Sequence, residues 1–235
     1  MSEPLDSSMD SKTREGSFKL YLFLAGLFVT ALITCNLIAN KFVTVDLGFT
    51  QFVLSAGVLP YPITFLITDI LSEIYGKKKT NQVVYVGFAA SVFVLGILYL
   101  GSLFPAIDAS PVNESQYNAV FQNSWRVILA SMVAYLTAQL IDVRLFHFWK
   151  KLTGGKKLWL RNNASTIVSQ LVDTTLVVLV LFAGTMPIGD MAELVKDGWI
   201  FKVVSALLDT ILIYIIIGAI RKKFRLKEGE EIDFL

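Results

Sequence analysis

The chain has 235 residues, of which 54% are hydrophobic and 17% charged, with a mean hydropathy of +0.62 and a formal net charge of +2. That is too apolar for a soluble domain of this length and indicates an integral membrane protein. The small net charge argues against nucleic acid as a partner, and the single cysteine, Cys35, excludes an internal disulfide and a cysteine-built metal site.

The chain opens on MSEPLDSSMDSKTREGSFK, residues 1–19, a polar stretch carrying both charge signs that reads as a disordered tail rather than a signal peptide. The apolar run from Leu20 to Ala39 follows, and roughly 20 such residues cross a bilayer core of ~30 Å. No cleavage is expected. The next apolar run, near 51–71, contains Gly57, Pro60 and Pro62 and leads through Asp69 and Glu73 to Lys77–Lys79. Proline removes a backbone donor and clashes with the preceding turn, so this span should be broken between Gly57 and Pro62. Two forms are open: a plain kink, or a second half-helix starting at Pro62 with its NH groups aimed at a solute. Asp69 and Glu73 then share one face, with Lys77 a turn further as an ion partner for Glu73.

Apolar runs near 82–104, 125–147, 163–184 and 198–220 bring the total to six. The expected fold is an all-α polytopic six-helix bundle over 20–223, between the tail 1–19 and a C-terminal tail 224–235. Lys and Arg number three before the first run, three at Lys77–Lys79, six from Arg144 to Arg161 and five from Arg221 onward, seventeen of the twenty-one. By the positive-inside rule both termini are then cytoplasmic. Trp125, Trp149, Trp159 and Trp199 fall at expected span ends, where indole rings anchor at the headgroups.

Polar residues inside these spans are costly, roughly 2.5–3.5 kcal/mol for a charge at the bilayer centre. Asn163, Thr166, Gln170 and Asp173 lie on one face of the fifth span; Lys202, Ser205 and Asp209 share a face of the sixth. Gln139 and Asp142 lie one turn apart on the fourth span, and Asn36 and Asn40 on the first. At ~1.5 Å per residue, Asp173 and Asp209 fall near the midplane, whereas Asp142 and Glu73 lie nearer the cytoplasmic side. Such groups either glue helices together or line a pathway for a solute or ion; four inward acids favour the pathway. The short match of Gln139-Leu-Ile-Asp142 to Gln170-Leu-Val-Asp173 is a faint sign of internal repetition. The sequence has no Walker-type phosphate loop, nucleophile constellation or histidine–carboxylate set with metal spacing, so no enzymatic activity, cofactor or metal is expected.

Several segments together resemble the queuosine precursor transporter family: Asn36-Leu-Ile-Ala-Asn40-Lys41, Tyr61-Pro-Ile-Thr-Phe-Leu-Ile-Thr-Asp69 with Glu73-Ile-Tyr-Gly76, Trp159-Leu-Arg-Asn162, Gln170-Leu-Val-Asp173-Thr174 and Asp209-Thr210. The resemblance runs from Leu20 to Arg221. It implies a six-helix inner-membrane importer of 7-deazaguanine precursors of the modified tRNA nucleoside queuosine, akin to vitamin-uptake transporters and to substrate-binding subunits of energy-coupling-factor systems. The implied partners are the heterocycle, the bilayer, and either further copies of the chain or a separate ATPase module docking on the basic loop from Arg144 to Arg161. For a guanine-like ring, Asp173 or Asp209 would accept from the NH edge, Gln170, Gln139 or Asn163 would meet the carbonyl, and Tyr61 would stack. Asp142, Asp69 and Asn36 complete the candidate polar set.

Overall fold

The computed structural model describes residues 11–39, 41–46, 48, 51–122, 125–184 and 186–233; the first ten residues and Asn40 lie outside the described residues. Helix α1 (Ser11–Leu37) starts well before the apolar run, so half of the polar tail is helical. Its buried seam, Ser17, Leu24, Phe28, Leu32 and Cys35, has helical spacing and lies along the helix that follows.

Strands β1 (Phe42–Asp46) and β2 (Gln51–Ser55) form an antiparallel hairpin, with Phe42 opposite Ser55 and Asp46 opposite Gln51. The stretch 51–55, expected to open the second span, is therefore a strand, and the expected all-α architecture acquires a small sheet. β-branched and aromatic residues at these positions suit a pleated ribbon as well as lipid, and length alone does not separate the two. The hairpin is tied to the end of α1 by Ser55 Oγ donating to the Ala39 carbonyl and the Ala56 NH donating to the Lys41 carbonyl, both at 2.6 Å.

A single 3-10 turn (Ala56–Val58) leads into α2 (Tyr61–Ser102). Pro60 caps this helix and Pro62 sits in its first turn, where a missing NH breaks no hydrogen bond. Of the two forms open in the sequence, the structure shows the helix start, but no half-helix precedes it. The real break comes later. A straight 42-residue helix would run ~63 Å, twice a bilayer core, but Gly76 adopts φ 78°, ψ 172° and splits α2 into two rods. Lys77 is thereby turned away from the face that carries Glu73 and is exposed.

Past a short helix α3 (Glu114–Tyr117) and a π turn (Asn118–Gln122), α4 (Trp125–Leu152), α5 (Leu158–Phe182) and α6 (Ile188–Phe224) complete the bundle. The described chain is 80% helical, with α4 and α6 packed on either side of α5 and α1 and α4 both against α2. Four helices, Ser11–Leu37, Ala56–Ser102, Leu158–Val180 and Ile188–Phe224, are long and apolar enough to cross a bilayer. Large apolar side chains such as Phe93, Leu208 and Ile215 point outward, while α5 buries its polar face. This inverts a soluble protein's pattern: the chain is a helical, polytopic membrane protein.

After α6, Leu226–Asp233 folds back under the bundle. Ile232 is buried, and its NH donates 2.7 Å to the Ile74 carbonyl that the break at Gly76 leaves without a helical partner. Lys79 pairs with Asp233 at 2.6 Å and Lys150 with Glu231 at 2.8 Å. A Cβ at Gly76 would require the left-handed region and would collide with the Glu231 carboxylate. Gly76→Ala should therefore lower the melting midpoint in detergent, by an amount equivalent to about 1–2 kcal/mol for the backbone alone. Adding Glu231→Ala should recover the part due to the collision.

Candidate functional site

The polar residues of the bundle are arranged in three tiers, beginning at the end where the basic residues gather. In the first tier Glu73 is fully buried and accepts from one edge of the Arg161 guanidinium, Nη2 to Oε1 at 2.6 Å and Nε to Oε2 at 3.1 Å. Such fork-to-fork contact is the strong form of an ion pair. Arg221 also pairs with Glu73 Oε1, and Lys150 donates to the Glu73 carbonyl at 3.2 Å with its ammonium 3.7 Å from Oε2. Arg161 further donates to the Gly155 and Lys156 carbonyls, both at 2.8 Å. Glu73 thus joins α2, α4, α5 and α6, and its partners are these three cations in place of the expected Lys77. Because Arg161 and Lys150 are buried here, the basic loop keeps only part of its expected charge for docking an ATPase.

The second tier lies deeper, between α2, α4 and α5. Asp69 and Asp142 are buried and within hydrogen-bonding reach of one another. Ser169 Oγ donates to Asp142 Oδ1 at 2.9 Å. Gln139 is saturated: its Nε2 donates to the Tyr135 hydroxyl at 2.8 Å and its Oε1 accepts from Thr68 at 3.2 Å. It holds helices and is not offered to a ligand.

The third tier is a narrow cleft, with about 20 Å³ of free space, between the first rod of α2 and the facing sides of α5 and α6, lined by Tyr61, Pro62, Phe65, Thr166, Gln170, Lys202, Ala206 and Asp209. Its aromatic wall is continuous, with Tyr61 and Phe65 ring centroids 5.6 Å apart and Tyr135 behind them at 5.3 Å from Tyr61. Asp173 accepts from the Tyr61 hydroxyl at 2.9 Å and from Lys202 Nζ at 2.6 Å; the same ammonium lies 4.6 Å from the Tyr61 ring centroid. Asp173 therefore positions Tyr61 and Lys202, while Asp209 itself lines the cleft. Gln170 is 2% exposed, yet neither its Oε1 nor its Nε2 has a hydrogen-bond partner among the described residues. An unpartnered buried amide is costly, about 1–3 kcal/mol per group.

The structure thus brings together Tyr61, Gln170, Asp173 and Asp209 of the expected set, while Asp69 and Asp142 pair with each other one layer away. Asn163 bonds across to Thr210, Nδ2 to Oγ1 at 2.8 Å, and joins α5 to α6. Asn36 lines a different, largely apolar pocket with Ser91 and Met132. Lys202 was legible only as an inward charge; its partner depends on how α5 and α6 are rotated. Arg161 read as a loop cation, although a basic residue at the first turn of a helix beside a buried acid was a usable signal. Among the described residues no group of three or more His, Cys, Asp or Glu is placed to hold a metal ion.

A family model described as "Putative vitamin uptake transporter" matches residues 55–216. The chain is 33% identical over 167 residues to a "Probable queuosine precursor transporter" of Bacillus subtilis (strain 168), covering 69% of this chain and 70% of the relative. It is 28% identical over 154 residues to the "Queuosine precursor transporter" of Escherichia coli (strain K12), covering 65% of each. No solved structure matches. The matched region contains the second and third tiers and, of the first, Glu73, Lys150 and Arg161, and with it the chain belongs to the vitamin uptake transporter family.

Proposed function

We propose that this protein imports queuosine precursors, 7-deazaguanine bases, across the cytoplasmic membrane, and that the third-tier cleft is where they bind. The observation that carries the reading is the Gln170 amide, buried with both polar atoms unpartnered, in a cleft that also offers a carboxylate and an aromatic wall. A guanine-like ring answers each group. Its adjacent NH donors suit the Asp209 carboxylate, its carbonyl accepts from Gln170 Nε2, and its face lies on Tyr61. The names of the bacterial relatives support the same solute.

With Gly76 dividing α2, the helical rods number six, and we assign one crossing to each. The basic tier then faces the cytoplasm together with both termini, as the positive-inside rule requires. Gln170→Ala should weaken binding of 7-aminomethyl-7-deazaguanine to detergent-purified protein roughly tenfold to a hundredfold, the loss of one or two hydrogen bonds in a dry site. Equilibrium binding checks this; unchanged affinity would remove Gln170 from the site. Uptake by protein reconstituted alone in liposomes separates a self-sufficient carrier from a binding subunit that requires an ATPase.

A further inference from the structure

We propose that Asp69 and Asp142 together form a proton-binding site, and that one proton held between them is carried inward with the substrate. The proposal deepens the transport reading and rests on it.

Both residues are almost completely buried, 1% and 0% exposed, on facing sides of α2 and α4. Their carboxyl groups are within hydrogen-bonding reach of each other. Asp69 Oδ1 and Asp142 Oδ2 have no donor among the described residues, whereas Asp142 Oδ1 is taken by Ser169. An ionised carboxylate only accepts hydrogen bonds, so two carboxyl groups in direct contact need a donor between them. Without it, two negative charges would face each other in a dry site, where their repulsion is only weakly screened.

Every element around the pair bears on it. From α5, Ser169 gives its hydroxyl to Asp142, Ser165 and Thr166 lie beside it, and the Arg161 guanidinium acts on Asp69 from the basic tier. From α6, the negative charge of Asp209 acts on Asp69. Asp209 itself lines the cleft.

Coupling follows from helix spacing. Tyr61, Phe65 and Asp69 are four residues apart and share one face of the first rod of α2. A proton that ties Asp69 to α4 also sets the two aromatic rings that wall the cleft. Loss of the proton pushes α2 from α4, and the helical backbone of its first rod ends at Gly76. Substrate and proton therefore bind cooperatively: by linkage, each raises the affinity for the other.

The test uses the full chain in liposomes with radiolabelled 7-aminomethyl-7-deazaguanine. Wild-type affinity should fall as pH rises, by roughly tenfold per pH unit once the proton is lost. An inward proton gradient should drive accumulation several-fold above equilibrium. In Asp142→Asn the amide supplies the donor permanently. That variant should bind at constant affinity across pH and still exchange internal for external substrate, but should not accumulate it under the gradient. The proposal is overturned if wild-type binding is pH-independent, if Asp142→Asn accumulates substrate as wild type does, or if a sodium gradient drives uptake instead. A wild-type protein that neither binds nor exchanges the base would overturn the transport reading itself, and the proton site with it.

Discussion

Glu73→Gln should be the most damaging single substitution in the bundle. Among the described residues Glu73 is the only carboxylate in contact with the buried Arg161 guanidinium, which otherwise rests on two backbone carbonyls. Removing one member of such a pair leaves an uncompensated buried charge and costs about 3–5 kcal/mol, a large share of the typical stability of a protein. Arg221 and Lys150 would lose the same partner, so the four helices meeting at Glu73 would repel one another at that end. The expected result is a sharp fall in melting midpoint, followed by tryptophan fluorescence in detergent, with much of the protein aggregated. Lys77→Gln, at an exposed position one turn away, should melt as wild type does. The double variant Glu73→Gln, Arg161→Gln should recover part of the loss because it removes the stranded charge along with its partner. A Glu73→Gln protein as stable as wild type would show that the tier at the basic end is not what holds the helices together.

The second large effect is expected at Asp209. Of the acids near the cleft, Asp209 alone lines it directly, and it is only partly buried. Its carboxylate is the proposed acceptor for the NH edge of the base, and a charge-assisted pair of hydrogen bonds there is worth about 1.5–3 kcal/mol per bond. Asp209→Asn presents the wrong polarity to one of the two donors, so uptake should fall by more than a hundredfold while insertion and melting stay near wild type. Asp173→Asn should behave differently. It strands Lys202, whose side chain is 10% exposed, and releases the Tyr61 hydroxyl. Both binding and stability should then drop. Uptake assays paired with melting curves for the two variants distinguish a ligand contact from a positioning residue.

Much of this arrangement was legible in the chain because charge inside lipid is so expensive. The helical spacing of Asn163, Thr166, Gln170 and Asp173 required one inward face, and all four are buried. Pro62 correctly marked a helix start near the site. What escaped the sequence depended on rotation and contact between helices. Gln139 and Gln170 occupy similar short motifs, yet one is saturated by Thr68 and Tyr135 while the other is unpartnered. Nothing in the linear pattern separates them. The break in α2 was expected at the prolines, but it falls at Gly76, where a positive φ is cheap only for glycine. That shift cost Glu73 its expected partner. The hairpin was hidden for a further reason: an apolar strand and the start of an apolar span have the same composition.

Equilibrium binding of 7-cyano- and 7-aminomethyl-7-deazaguanine to purified protein tests the central claim most directly. Saturable binding at one site is expected, competed by guanine, and strongly weakened by Asp209→Asn and by Gln170→Ala in correctly folded protein. No binding to the wild-type chain, or equal affinity in both variants, would contradict it.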